Sequence, residues 1–320
     1  MANLFLSMAK RERIDPQVQP VADYPLLSII TINYNQAEVT HQFLASAAHL
    51  TYPNYEIIVV DNASTQPFQN TLGSTQYKHL RLIRSEENLG FTGGNNLGIQ
   101  EARGDFFFIV NNDTELSPTL LEDLLKPFAE DDRIGVTCPK IRFFDAPQRV
   151  QYAGYNPVNL YTGTATAIGF NQEDDGRFDQ PHATYFAHGC AMLVSREVVE
   201  RVGRFAERFF LYYEELDWSQ RIRDAGFLIY YQPTASILHK ESASVGQNSP
   251  LRTYYLTRNR ILFMRRHCSW FQRVVFYAFF STCVLPKHVF SYLIAGQLTH
   301  AKAFIRGTLW NLTATTLSPV

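Results

Sequence analysis

The chain has 320 residues, enough to bury a sizeable core in one large domain or in one domain with an appendage. Its 29 basic and 30 acidic residues give a formal net charge of -1, which offers no support for a nucleic-acid partner. The four cysteines are scattered without a C-x-x-C pair, so the sequence indicates neither a zinc site nor a disulfide framework and favours a reducing, cytoplasmic compartment.

The N-terminal segment, residues 1–24, begins MANLFLSMAKRERIDPQ. It is apolar first and charged afterwards, which is the reverse of a secretory signal. We expect it to be a loosely ordered leader.

From Leu26, apolar strand-like runs alternate with segments of helical spacing. The predicted strands are LLSIITINY, YEIIVVDN, LRLIRSE and DFFFIVNND, and the predicted helices are AEVTHQFLASAAHL, GGNNLGIQEAR and SPTLLEDLLKPFAED. Continuous apolar strands separated by helices predict a mostly parallel sheet with helices on both faces, a Rossmann-like α/β fold.

Between Ile134 and Ser195 the sequence changes to shorter strand-like pieces with many turn residues, which predicts a mixed second half with antiparallel edges. REVVERVG and YEELDWSQRIRDAG have helical patterns, and Gly226 is a suitable residue to end the second helix. FLIYYQP is a late strand.

The C-terminal region, residues 251–320, differs in kind. RTYYLTRNRILFMRRHC predicts a basic, aromatic helix, and the apolar stretch after it is interrupted by Pro286-Lys287-His288. The run before this proline has roughly a dozen residues, short of the ~20 that a spanning helix needs. Basic flanks with Trp and Phe favour amphipathic helices in a membrane interface, with peripheral contact through 252–310. A buried helix pair that caps the domain is the alternative.

Polar clusters follow the predicted strands. They are TINYNQ, Asp61-Asn62, ENLGFTGGNN and Asn111-Asn112-Asp113. Each alone could be a helix cap or a turn. Four in succession indicate a nucleotide crevice, because ligands of open α/β sheets bind outside the carboxyl ends of the strands. The glycine spacing matches neither G-x-G-x-x-G nor a P-loop.

The motifs LSIITINYN, YEIIVVDNAST, ENLGFTGGNNLGI, GDFFFIVNNDT, HGCAMLV and FFLYYEELDWSQRIRDAGF, followed by a late His, occur in this order. Together they resemble the family 2 inverting glycosyltransferases with the GT-A fold, in particular the rhamnosyltransferase-like branch that works on surface polysaccharides. The resemblance covers about Leu26 to His239. It implies a GT-A catalytic domain over 25–250, with a nucleotide-binding half, 25–133, and an acceptor half, 134–250.

The resemblance implies a nucleoside-diphosphate sugar, UDP- or dTDP-linked, as the donor. Asp61 would accept a hydrogen bond from the pyrimidine ring N–H, a role that suits an acceptor-only carboxylate. The other donor-binding residues that it implies are Thr31, Asn33, Asn35, Gly90, Gly94, Asn95, Asn111 and Asn112. The glycines would let the backbone approach the ligand closely.

The family's metal motif is usually Asp-x-Asp, whereas this chain has Asn111-Asn112-Asp113 and keeps only the last acid. Mg²⁺ and Mn²⁺ often take one or two protein carboxylates plus substrate phosphates, so a single acid is chemically sufficient. The resemblance implies His239 as a second metal ligand, although a His after a strand is also common as a surface or core residue.

An inverting transfer needs a carboxylate that takes the proton from the attacking acceptor hydroxyl. The resemblance places this base at Glu215 in YYEELDW, with Asp217 as the next candidate. Asp217 and Arg221 also have the i,i+4 spacing of a helix-stabilising ion pair. The implied acceptor-binding residues are His188, Gly189, Glu214 and Trp218.

The predicted function is a metal-dependent, inverting transfer of a sugar, with rhamnose as the sugar that the branch suggests. The acceptor would be a saccharide or a lipid-linked glycan in surface polysaccharide synthesis, in the cytoplasm or at the inner face of the plasma membrane. A catalytically silent nucleotide-sugar-binding scaffold is the alternative, supported by the incomplete acid motif. A nucleotidyltransferase is disfavoured, because NYNQAEVT lacks a glycine-rich basic loop.

Overall fold

A computed structural model of the chain describes residues 24–69, 79–240 and 248–314. The predicted leader lies outside these residues except for Tyr24. The strands are β1 Leu27–Asn33, β2 Tyr55–Asn62, β3 Leu80–Ser85, β4 Phe106–Val110, β5 Thr114–Leu116, β6 Ile134–Phe143, β7 Arg149–Tyr152, β8 Gln172–Glu173, β9 His182–Thr184, β10 Ala191–Ser195 and β11 Leu228–His239. The helices are α1 Ala37–Ala47, α2 Gly90–Glu101, α3 Leu120–Glu130, α4 Arg196–Val202, α5 Glu214–Asp224, α6 Pro250–His267, α7 Trp270–Phe279, α8 Leu285–Ile294 and α9 Leu298–Thr313.

The strands form one mixed sheet in the order β3-β2-β1-β4-β10-β6-β11-β5, with β7, β8 and β9 on its margins. The pairs β3–β2, β2–β1, β1–β4 and β6–β11 are parallel. The late strand β10 inserts antiparallel between β4 and β6. The prediction of a mixed, mostly parallel sheet flanked by helices is confirmed, and its first half contains the parallel strands that the apolar runs indicated.

The register of the first strands places their polar ends side by side. β1 and β2 are buried along almost their whole length, because helices and other strands cover both faces. Asn33, the last residue of β1, is paired with Asp61 in the parallel register. The side-chain amide of Asn33 therefore lies next to the carboxylate of Asp61 at the carboxyl ends of the two strands.

Two helix ends illustrate how local sequence determines the boundaries. α5 ends where Gly226 adopts φ +93°, and the N–H groups of Gly226 and Phe227 donate to the carbonyls of Arg223 and Ile222. This pair of hydrogen bonds is a Schellman motif, in agreement with the predicted end of the helix at Gly226. α3 begins at Leu120, three residues after Ser117, the first residue of the predicted helical segment SPTLLEDLLKPFAED.

The helix α6 packs against α5 and along α9. Its residues Ile261, Leu262, Phe263 and Met264 are buried in a second apolar cluster, which they share with residues of the preceding domain such as Phe209. This part of the C-terminal region therefore caps the domain, in line with the alternative that the sequence left open.

The helix after α6 continues past Pro286, so it is longer than the apolar run of roughly a dozen residues that precedes the proline. α7, a π-helical turn at Phe280–Val284 and α8 form one continuous helix. The wider π turn directly precedes the proline and accommodates its missing N–H and its ring. Among the described residues, Trp270–Ile294 is the one helix long and apolar enough, by length and composition, to cross a membrane.

Candidate active site

A hydrogen-bond network joins the carboxyl ends of the parallel strands. Asn33 donates from Nδ2 to Oδ1 of Asp61 at 3.1 Å and accepts from the Thr40 hydroxyl at 2.8 Å. Asn112, after β4, donates to the same hydroxyl at 2.8 Å. Arg84, near the end of β3, donates to Oδ2 of Asp61 at 2.7 Å. The structure thus brings the predicted strand-end clusters together at one edge.

Asp61 is buried and ionised within this network. Burial raises its pKa, but hydrogen bonds from Ser64, Phe68 and Asn33 and the charge of Arg84 together lower the pKa below its usual value. Both carboxylate oxygens already have a protein partner. The predicted contact to a nucleobase N–H would use a further lone pair of this carboxylate.

The predicted ligand-facing glycines lie close to other protein atoms. A Cβ on Gly90, where φ is +69°, would lie 2.5 Å from the Phe210 carbonyl oxygen. A Cβ on Gly94 would lie 2.8 Å from the Ile32 side chain. Their small size therefore allows α2 to pack closely against Phe210 and β1, which is a structural reason for glycine here besides the predicted approach to a ligand.

The remaining predicted donor residues differ in their exposure. Asn95 is buried and donates to the Phe91 carbonyl within its own helix, so it does not extend toward a ribose and that expectation is corrected. Thr31 is buried in β1 and its hydroxyl has no hydrogen-bond partner among the described residues. Asn35 is exposed, adopts φ +55° and accepts from the Thr65 N–H. It shapes the loop after β1.

Asp113 and His239 meet at the metal position that the sequence suggested. The register of β11 against β5 places His239 opposite Thr114, so Nε2 of His239 lies 3.2 Å from Oδ1 of Asp113. Nδ1 of His239 lies 2.8 Å from Oε1 of Gln151, a buried side chain. Since an amide oxygen only accepts, Nδ1 carries a proton and donates it, which directs Nε2 toward Asp113.

These two residues fit a hard divalent cation. Oδ1 of Asp113 is buried, and Nε2 of His239 is the polar atom that faces it. Burial disfavours a charged ring, but the neighbouring Cys190 and Asp113 raise the pKa of His239 well above its usual value, so the position favours positive charge. Adjacent ligands of one octahedral cation are about 3 Å apart, close to the observed spacing.

No group of three or more His, Cys, Asp and Glu side chains surrounds a common metal position in the ranges 24–69, 79–240 and 248–314. A cation at Asp113 and His239 would therefore need further ligands from a substrate, such as diphosphate oxygens. Asn111 contributes its backbone here, donating its N–H to the Cys190 carbonyl at 2.9 Å.

Two acidic side chains begin α5, with Glu214 buried and Glu215 half-buried. Oε2 of Glu214 and Oε2 of Glu215 are buried and have no hydrogen-bond partner within the described part of the chain. Burial raises the pKa of Glu215 to about 7. Burial and the charge of Glu215 raise the pKa of Glu214 well above its usual value, while Arg258 partly offsets them. A carboxyl group with a pKa near neutrality is suited to proton transfer.

The backbone before this acid pair is strained. Phe210, Tyr212 and Tyr213 have φ values of 63°, 69° and 71°, in the left-handed region that non-glycine residues rarely adopt. Such conformations cost of order 1–3 kcal/mol each and persist only where the surroundings hold them. The strained segment sets the direction in which α5 starts.

The helix α6 holds the strained segment in place. Nδ2 of Asn259 lies 2.9, 2.8 and 2.7 Å from the carbonyl oxygens of Phe209, Leu211 and Tyr212. Arg258 donates to the Arg208 carbonyl at 2.7 Å. Asn259 is fully buried. The C-terminal region thus fixes the backbone that carries the acid pair.

Glu215 lies beside the predicted acceptor residues. A Cβ on Gly189 would lie 3.8 Å from the Glu215 Cβ, so the absence of a side chain leaves space next to the carboxylate. Burial and the Glu215 charge both raise the pKa of Tyr155. Tyr155 in turn stacks on His188 with ring centroids 6.0 Å apart. His188 is neutral, because burial and the nearby His239 lower its pKa to about 3.

The segment 188–190 links the two centres. Gly189 lies beside Glu215, and the Cys190 carbonyl accepts from the N–H of Asn111, two residues before Asp113. The rings of His188 and His239 lie 6.5 Å apart. The single aspartate and the helix-borne glutamate therefore border the same short segment.

Asp217 does not fit the role of base. Its carboxylate is fully buried and lies 2.7 Å from Arg266 Nε, 2.8 Å from His267 Nε2 and 3.0 Å from Arg221 Nε. Burial raises its pKa, but these three partners outweigh burial and lower the pKa of Asp217. The carboxylate is an ionised tie between α5 and the end of α6, as the Asp217–Arg221 spacing suggested in part.

The expectation that Trp218 offers a surface to the acceptor is wrong. Its indole is buried, packs on Phe205 with ring centroids 4.3 Å apart, and donates to the Gly203 carbonyl at 2.9 Å. The ring belongs to the core, because this side of α5 faces α4 and the sheet.

Sequence reasoning missed Arg84, Gln151, Tyr155 and Asn259, which hold or flank the site residues. Arg84 could have been predicted, since it lies at the end of the predicted strand LRLIRSE, which follows the strand that carries Asp61. Gln151 and Asn259 act on residues 88 positions and about 50 positions away in the chain, so no local pattern marks them.

The chain belongs to Glycosyl transferase family 2, which matches residues 28–203. It is therefore a glycosyltransferase with a GT-A type fold. It is 24% identical over 288 residues to the N-acetylglucosaminyl-diphospho-decaprenol L-rhamnosyltransferase of Mycobacterium tuberculosis, covering 82% of this chain and 92% of that one. It is 26% identical over 245 residues to the low-salt glycan biosynthesis hexosyltransferase Agl10 of Haloferax volcanii, covering 74% of each.

The fold is also similar to that of the mannosyltransferase PcManGT from Pyrobaculum calidifontis, solved with GDP-Man and Mn²⁺. The TM-score is 0.57 at 16% identity, covering 91% of this chain and 88% of the other. At this identity the similarity concerns the fold alone.

Proposed function

We propose that the protein transfers a sugar with inversion from a UDP- or dTDP-linked donor to a lipid-linked glycan, with Glu215 as the base. The observation that carries this proposal is the carboxyl group of Glu215 beside Gly189, which has a raised pKa and a buried Oε2 without a hydrogen-bond partner among the described residues. A protein that only binds nucleotide sugars needs no such group. The rhamnosyltransferase and hexosyltransferase relatives support the reaction class.

The donor would lie along the edge formed by Asp61, Asn33 and Asn112, with its diphosphate toward Asp113 and His239. Mg²⁺ or Mn²⁺ bound by these last two residues would neutralise charge on the departing diphosphate. Gln151 would keep the His239 ring oriented with Nε2 toward the cation. Rhamnose as the transferred sugar is supported by the name of one relative.

Glu215 would take the proton of the acceptor hydroxyl while the oxygen of that hydroxyl forms a bond to the anomeric carbon. The bond from that carbon to the diphosphate oxygen breaks, and the nucleoside diphosphate leaves with the bonding electrons. One displacement from the opposite face inverts the anomeric configuration. The space at Gly189 would admit the acceptor sugar next to the base.

The test compares Glu215→Gln with Asp113→Ala. Glu215→Gln keeps the shape of the side chain, and we expect transfer to fall by about 10²–10⁴-fold with donor binding nearly intact. Asp113→Ala should weaken Mn²⁺-dependent donor binding, measured by calorimetry. Glu197→Gln, an exposed acid on α4, is the matched control. Full transfer by Glu215→Gln would show that another group is the base, whereas donor binding without transfer by the wild type would favour the scaffold.

We also propose peripheral contact with the inner face of the plasma membrane. Trp270 and Ile294 are each 72% exposed, and Phe271, Phe290 and Leu293 are exposed on the same long helix. Serine at Trp270, Phe271 and Phe290 should reduce sedimentation with lipid vesicles. Serine at Tyr161 and Phe170, exposed aromatics of the catalytic domain, is the control and should change nothing. Retention after an alkaline wash would instead indicate a spanning helix.

A further inference from the structure

A cavity of about 330 Å³ lies between α6, α8 and α9, outside the donor edge and the Asp113–His239 position. Arg252 and Arg260 line it from α6, and His288 lines it from α8. Thr253 and Thr257 also line it, and their hydroxyl groups already donate to the carbonyl oxygens of Ser249 and Thr253. No reaction step described above uses this cavity.

The cavity is electropositive. Arg260 donates from Nε to the Thr162 carbonyl at 2.8 Å and faces the Phe280 ring at 5.9 Å. No carboxylate of a described residue lies within ion-pair distance of the Arg260 guanidinium. Burial, and then the charges of Lys287 and Arg260, lower the pKa of His288. A half-buried guanidinium with only a carbonyl and a ring beside it is suited to bind an anion.

The cavity borders the acid pair. Tyr213, the residue before Glu214, lines it. Burial raises the pKa of Tyr213 to about 12, where Arg260 opposes the shift and Glu215 adds to it. Tyr213 therefore lies within electrostatic reach of both a cavity arginine and the base.

Part of the cavity lining is apolar. Phe280, Tyr292 and Phe304 contribute aromatic rings to it. The same helix α8 that carries His288 carries Phe290 and Ile294 on its exposed side. A ligand with phosphate groups at one end and a hydrocarbon chain at the other would match both parts.

We propose that this cavity binds the diphosphate of the lipid-linked acceptor, with the hydrocarbon chain along the exposed face of Trp270–Ile294. The proposal rests on the proposed function for the acceptor and names where the acceptor is held. A sugar attached to a diphosphate bound at Arg252 and Arg260 would extend past Tyr213 toward Glu215. A phospholipid headgroup shares the phosphate chemistry, so the test has to distinguish it from the diphosphate of the acceptor.

The experiment measures binding of farnesyl diphosphate to the full chain with divalent cations chelated, so that the donor position contributes little. Farnesol and inorganic diphosphate are the matched ligands. We expect Arg260→Gln and Arg252→Gln each to weaken farnesyl diphosphate binding about tenfold or more, as loss of a charge-assisted contact predicts, and to leave farnesol binding unchanged. Arg306→Gln, an exposed arginine of α9 that faces Tyr254, is the control and should bind normally.

Three outcomes overturn the proposal. They are unchanged binding in both cavity variants, equal weakening in Arg306→Gln, and competition by phosphatidylglycerol vesicles that matches farnesyl diphosphate. Arg260→Lys, which keeps the charge, should restore part of the affinity if the fold is intact. Glu215→Gln separates this proposal from the proposed function, because it should abolish transfer and leave farnesyl diphosphate binding unchanged. Binding without any transfer in the wild type would refute the function and not the cavity.

Discussion

The donor edge of the sheet and the start of α5 are both polar and buried, but their polar groups differ in how completely they are bonded. At the donor edge, Asp61 has partners on both oxygens, and Asn33 and Asn112 share the Thr40 hydroxyl. At the start of α5, Glu214 and Glu215 each keep a buried oxygen without a described partner. The first region is preorganised, whereas the second keeps acids at raised pKa on a strained backbone.

The difference assigns separate tasks to the two regions. A fully bonded edge can hold a ligand without rearranging, since its side chains are already oriented. A buried acid without partners is unfavourable for stability, and it persists where neighbouring contacts hold its backbone in place. Here α6 supplies these surroundings through Asn259. The C-terminal helices therefore contribute to the site even though they lie outside the matched residues 28–203.

Within α5, the largest expected contrast is between Asp217 and Glu215. Asp217→Asn leaves Arg221, Arg266 and His267 without their shared counter-charge, so we expect the free energy of unfolding to fall by about 3–5 kcal/mol. Glu215→Gln removes a buried charge and should leave stability equal or higher at pH 8. Denaturant unfolding of both variants measures this. Similar destabilisation of the two would remove the distinction between a structural and a catalytic acid.

The next contrast concerns the orientation of His239. Gln151→Ala removes the acceptor for Nδ1, so the ring loses its fixed orientation and Mn²⁺ affinity should fall about 10–100-fold. Calorimetric titration of Mn²⁺ in the presence of nucleoside diphosphate measures the change. Gln232→Ala, which removes another buried glutamine that donates to a carbonyl of α3, is the control and should bind Mn²⁺ normally.

Asn259→Ala tests the support of the acid pair. It leaves the carbonyls of Phe209, Leu211 and Tyr212 without this donor, so we expect a loss of about 1–3 kcal/mol in the free energy of unfolding. The transfer rate should fall with donor affinity unchanged, because the hydrogen-bond partners given above for Asp61, Asn33 and Asn112 lie outside α6. Asn156→Ala, at an exposed loop asparagine, should alter neither. A loss of donor affinity equal to the loss of rate would contradict this division.

The strand-end clusters could be predicted because parallel strands carry their carboxyl ends to one edge, whatever the details of packing. Glu215 was assigned from its motif. The motif does not indicate which side of α5 faces the core. Trp218 was therefore expected to face the acceptor, whereas it is buried in the core. Asp217 was weighed with Arg221 but not with Arg266 and His267, which are 49 and 50 residues away. The π turn before Pro286 has no local sequence signature.

The smallest expected effect is the pH dependence of transfer. The base must be ionised to accept a proton, and burial raises the pKa of Glu215 to about 7. The rate should therefore rise about tenfold per pH unit below that pKa and level off above it. Asp61 has a lowered pKa and stays ionised over this range, so donor binding through it should stay constant.

Protonation of Glu215 also changes stability, with the opposite sign. Its pKa is raised on folding, so between the unfolded and folded pKa values the folded state binds more protons, and stability falls as pH rises through this window. Glu215→Gln should flatten this part of the stability curve and remove the pH dependence of the residual rate. Chemical unfolding from pH 5 to 8 in both proteins provides the comparison. A wild-type rate that is independent of pH across this range would contradict the assignment of Glu215 as the base.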